Sequence, residues 1–145
     1  MLTRPEFAPL FPGKNLGKLT AVTLAHRTNC NIFDWNEEMA AEREQLAEYF
    51  SEAAREMCTY LTNQGYWADY IDPYTSQPAL GGTTSDALTE TDARLKRLGF
   101  LIDDVACCKI LRHQRWGHQV YVGVVFTNAP SSLPMLAGLQ TLSTH

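Results

Sequence analysis

Apolar residues recur at steps of three and four through Leu46, Phe50, Ala53, Met57 and Leu61, one stripe over about four turns that predicts an amphipathic helix. Asp34 or Asn36 is placed to cap it, Glu37 and Glu38 put negative charge at the positive end of its dipole, and Gly65 stops it. Cys58 adjoins the stripe and reads as a core residue. Glu42, Arg43, Glu44, Glu48, Glu52, Arg55 and Glu56 mostly fall on the other face. They read as solvation, because paired catalytic carboxylates need a cleft that an exposed helix face does not supply.

Period-two patterning predicts the strands. Lys18 to Ala25 is β-branched, and Gly65 to Pro73 is aromatic and alternating, closed by Asp72-Pro73. The stretch Asp103 to His113 contains neither Pro nor Gly and reads as a third strand. Arg115-Trp116-Gly117-His118 then turns into a last strand, Gln119 to Thr127, with Val120, Val122, Val124 and Phe126 on one face. These last two strands are expected to form an antiparallel hairpin. Between the second and third, Tyr74 to Leu88 is a loop long enough to suggest mobility or binding. Thr89-Glu90-Thr91-Asp92 then offers N-caps for a short helix through Leu95 and Leu98, ended by Gly99.

Residues 1–17, broken by Pro5, Pro9, Pro12, Gly13 and Gly17, read as an N-terminal arm. The core is placed at 18–129, and the tail at 130–145 is poorly determined, with a short docking helix near Leu136 to Leu142 as its one candidate element. The pattern predicts one domain over 1–145, a two-layer α+β fold whose mainly antiparallel sheet carries the long helix.

Composition narrows the function. A net charge of −4 argues against general nucleic-acid binding, and the one basic cluster, Arg94, Lys96 and Arg97, reads as a solvated face. No apolar run approaches the ~20 residues of a membrane span, and the N-terminus has no signal-peptide core. Cys30, Cys58, Cys107 and Cys108 lack CxxC spacing, which favours a reducing compartment and a cytoplasmic protein, with a mitochondrial destination open if a targeting extension precedes this chain.

The adjacent Cys107 and Cys108 are the one suspicious chemical feature. On a continuous strand they face opposite ways, with Cys108 inward beside Ala106 and Ile110 and Cys107 outward beside Lys109. Lys109, Arg112 and His113 would lower a neighbouring thiol's pKa from about 8.5 toward ~7. The plainer alternative is two small core hydrophobes. A zinc site is disfavoured, because thiols on opposite faces give each side one ligand. Cysteine nucleophile chemistry requires His26, His113 or His118 to reach a thiol through tertiary placement. The chain has no GxSxG, HExxH, phosphate-loop or dinucleotide fingerprint.

Taken together, Gly65-Tyr66-Trp67-Ala68-Asp69, Ile71-Asp72-Pro73, Glu90-Thr91-Asp92, Leu98-Gly99-Phe100, Asp103-Asp104, Cys107-Cys108-Lys109, Arg112-His113, Trp116-Gly117, Gly123 and Phe126-Thr127-Asn128 form an ordered series. In this series, from about Phe7 to Ala129, the chain resembles the methylmalonic aciduria and homocystinuria type D family of vitamin B12 trafficking proteins. The resemblance implies a variant nitroreductase-like fold without flavin or substrate sites, and a non-enzymatic adaptor. It implies as partner the type C protein that binds and processes cobalamin, with methionine synthase a further candidate, and cofactor directed to that enzyme and to methylmalonyl-CoA mutase. It also implies that the first cysteine of the pair, Cys107, ligates the cobalt of cobalamin jointly with that partner, with Cys108 its inward neighbour. A flavin- or thiol-dependent reductase and a purely structural interaction module are the competing readings.

Overall fold

The computed structural model describes residues 7–12, 19–30, 36–81, 86–105, 108–136 and 140–143. Its long helix, α1 (Glu37–Asn63), begins where the Asn36 side chain accepts a hydrogen bond from the Met39 N–H at 2.9 Å. Asp34, the alternative cap, lies outside the described residues. Gly65, at φ 91°, follows the last turn. Met39, Ala47, Phe50, Ala54, Cys58 and Leu61 are the buried helix positions, so the stripe is rotated slightly from the Leu46–Ala53–Met57 line, whose members lie half-buried at its edge.

A four-stranded antiparallel sheet runs in the order β2 (Ala68–Tyr70), β5 (Val120–Thr127), β1 (Thr20–Arg27), β6 (Gln140–Ser143). Its register pairs Ala21 with Phe126 and Val22 with Val125. Ala21, Val120, Val124 and Phe126 therefore face one core, while Val22, Tyr121 and Val125 face another against α1. This is the α+β architecture the pattern predicts, with a helix on a mainly antiparallel sheet. Gly123, on the α1 side of β5, is required by packing: a Cβ there would fall inside the Phe50 ring.

The sheet's other face is covered too, so two layers become three. Phe7, Leu10 and Phe11 of the arm are buried on it, Phe7 and Phe11 each 5.2 Å from the Phe126 ring centroid. Beside them pack Leu95 and Leu98 of a 3-10 helix (Ala93–Leu98), together with Phe100 and Leu111.

Three expected elements differ. Asp103 to His113 is not one strand: β3 (Leu101–Val105) and β4 (Cys108–Arg112) pair antiparallel with each other, Val105 opposite Cys108. An eleven-residue strand is about twice the usual length, and folding it back buries both Ile110 and Leu111. The hairpin expected between this stretch and the last strand is also absent, since β3 and β4 form their own sheet and β5 pairs with β1 and β2. β5 is apolar on both faces and suits a central position, whereas β4 carries Lys109 and Arg112. Finally, the tail contributes a strand, β6 beside β1, where a docking helix was the candidate.

Candidate functional site

The β3–β4 hairpin is anchored at its base and carries a charged pair beyond it. Ile102 and Leu111 sit opposite each other and pack into the core, and the next pair outward on the same face is Asp104 with Lys109, both exposed. Cys107 lies outside the described residues, between the ends of the two strands. Cys108 opens β4. The continuous strand that set the two cysteines on opposite faces is broken here, so the pleat no longer assigns them to faces.

One carboxylate braces the hairpin from both sides. Asp103 Oδ2 accepts from Arg112 Nε at 2.8 Å and lies 2.7 Å from His118 Nε2. Its partners thus come from β4 and from the turn leading into β5. Hydrogen bonding by His118 and then Arg112 lowers the Asp103 pKa. His113 stacks on Trp116 with ring centroids 4.3 Å apart, and its Nδ1 accepts from the backbone N–H groups of Arg115 and Trp116 at 3.0 and 3.2 Å. Burial, reinforced by Arg115, lowers the His113 pKa. An imidazole held this way is neutral near neutral pH, and its Nδ1 closes the turn at Gly117 (φ 60°).

The remaining candidates are placed as follows. Cys58 is buried at 2 % exposure, and burial, with Asp69 nearby, pushes its thiol up to about 12, which keeps it protonated and inert. Cys30 is half-buried beside the Glu42 carboxylate, which accepts from the Asn29 and Cys30 N–H groups. His26 meets the Tyr49 ring edge-on. Arg94 is committed to Asp86 and Asp92 and is not a freely solvated charge, whereas Lys96 and Arg97 are exposed. Among the described residues no three His, Cys, Asp or Glu side chains come together as a metal site, and no helix is long and apolar enough to cross a membrane.

The loop after β2 is pinned by the buried Asp69, whose carboxylate accepts from the N–H groups of Leu80 and Gly81 at 3.0 and 2.9 Å. Burial raises the Asp69 pKa against these hydrogen bonds. Between this loop, α1 and β5 lies a cavity of about 290 Å³ reaching Leu111 of β4. Patterning alone missed both the Asp103 brace and this cavity. The one signal for the second was the Tyr and Gly placed among the valines of β5.

A family model described as methylmalonic aciduria and homocystinuria type D protein matches residues 1–140. Cobalamin trafficking protein CblD of Homo sapiens is 45% identical over 128 residues, which are 88% of this chain and 43% of the human protein. The Gallus gallus protein of the same name is 41% identical over 138 residues, 95% of this chain and 47% of its own length. The chain spans just under half the length of these curated relatives.

Proposed function

Because the chain belongs to the methylmalonic aciduria and homocystinuria type D protein family, we propose that it is a non-enzymatic adaptor in cobalamin trafficking. In this reading it engages the cobalamin-processing type C protein in the cytoplasm, and Cys107 supplies a thiolate to the cobalt of the cobalamin carried there. The cofactor then passes toward methionine synthase and methylmalonyl-CoA mutase. Loss of the flavin site from a nitroreductase-like ancestor belongs to the same reading.

The observation that supports it best is that Cys107 falls in sequence between β3 and β4, in a hairpin whose Asp104–Lys109 pair is exposed. A cobalt held by a corrin on another protein needs one soft ligand with steric access, and thiolate is such a ligand. Size points the same way. A cavity of about 290 Å³ sits at the lower end of the range for drug-sized ligands, and cobalamin is far larger, which favours a corrin enclosed by the partner.

The test mixes the chain with the cobalamin-loaded partner and records the visible spectrum. The wild type should give a cobalt–sulfur absorption that Cys107→Ser abolishes, because a serine hydroxyl stays protonated at neutral pH and is a harder, weaker donor than thiolate. Cys108→Ser should keep the band. A band that survives in Cys107→Ser but vanishes in Cys108→Ser would move the ligand to the second cysteine. Absence of the band from the wild type would sink cobalt ligation altogether.

A further inference from the structure

The cavity beside α1 is lined by a polar group that no described residue serves. Tyr121 is only 7 % exposed and lines the cavity from β5, yet its hydroxyl has no hydrogen-bond partner among the described residues. Burial pushes this phenol up to about 12, so at neutral pH it is protonated and both donates and accepts. Buried polar groups in folded proteins are nearly always paired, with protein or with water, so a phenol lining a cavity is available to a bound molecule.

The walls and the rim say what kind of molecule fits. Phe50, Ile71, Leu88, Leu95 and Leu111 make the interior apolar. At the rim stand the carboxylates of Glu44, Asp72 and Glu90 against one guanidinium, Arg43. Arg43 is already engaged, paired with Glu90 and lying 5.2 Å from the centroid of the Tyr121 ring. Glu44 and Asp72 stand near Tyr74, whose ring is 63 % exposed and whose phenol pKa, raised by desolvation first, is raised further by the negative charges of Glu48, Glu44 and Asp72. An aromatic face next to carboxylates is the environment that attracts an organic cation, and the Arg43–Tyr121–Glu90 arrangement is an internal example of it.

We propose that this cavity binds a small organic monocation with an apolar body, the body among the aliphatic walls and the charged head between the Tyr121 hydroxyl and the carboxylates of Glu44 and Asp72. The site is separate from the cysteine hairpin in its chemistry but touches it through Leu111, which belongs to both the cavity wall and β4.

Three probes of one shape test it: 2-phenylethylammonium, 2-phenylethanol and phenylacetate, each titrated into the full chain and followed by calorimetry and backbone amide shifts. Binding should be tightest for the cation and weakest for the anion, with shifts centred on residues 71–76, 121–124 and the first turns of α1. Tyr121→Phe should retain the fold and weaken the cation by about 3- to 10-fold, the worth of one hydrogen bond. Glu44→Gln should weaken the cation and leave the alcohol unchanged. The proposal fails if no probe saturates, if all three bind alike, if the anion binds best, or if Tyr121→Phe leaves the cation's affinity intact.

Discussion

The Asp92 carboxylate does two jobs at once. It accepts from the Arg94 N–H at 2.9 Å, capping the 3-10 helix, and from both Nε and Nη2 of the same guanidinium at 2.9 Å. Burial alone would raise its pKa, but the Arg94 hydrogen bonds outweigh burial and lower it. Such a group contributes stability that is fully present above the unfolded carboxylate value of about 3.9 and is lost as pH falls through the lower folded value. Asp92→Ala should therefore cost roughly 0.5–2 kcal/mol at pH 7, and the gap to wild type should narrow as pH falls below about 4. Urea unfolding at pH 7 and pH 3 reads both; equal midpoints at pH 7 would refute the cap. This residue was legible because a cap and its helix are neighbours in sequence. Asp103 was not, since its partners stand nine and fifteen residues away and meet only once β3, β4 and the following turn are assembled.

At the scale of elements, the contact between α1 and β5 is the tightest fitted. With Phe50 lying where a Gly123 side chain would be, Gly123→Ala must displace the ring or the helix. Overpacking of this kind costs about 1–3 kcal/mol, measurable as a lower urea midpoint, and a variant as stable as wild type would show that the helix sits less closely than described. The helix itself was plain in the sequence, because its 3.6-residue period extends over many turns. β3 and β4 were not, because no Gly, Asn or Pro marks their junction and the apolar residues on either side read as one run. The sheet order was hidden for a related reason: both faces of β5 are buried, and a strand without alternation does not reveal its neighbours.

For the whole molecule, residues 7–12 of the arm are an integral part of the core. Pro and Gly spacing made it read as an arm leading into the domain, yet Phe7 and Leu10 are fully buried and Phe11 packs edge-on against Trp67 at 4.9 Å. Phe7→Ala should remove about 3–5 kcal/mol, as large as a substitution at the centre of the sheet, and thermal unfolding would show it as a drop of many degrees. A change of a degree or less would make the arm an ornament on a core that stands without it.

The position of β1 in the sheet has a kinetic consequence. Its two neighbours, β5 and β6, lie roughly one hundred or more residues downstream, so no native ladder involving β1 can close until β5 has left the ribosome. During synthesis an apolar strand waits with both edges bare beside a helix that forms early, which is the state most exposed to intermolecular pairing. High contact order of this kind places the domain among slow folders, its four-stranded sheet complete only when Gln140–Ser143 docks beside β1.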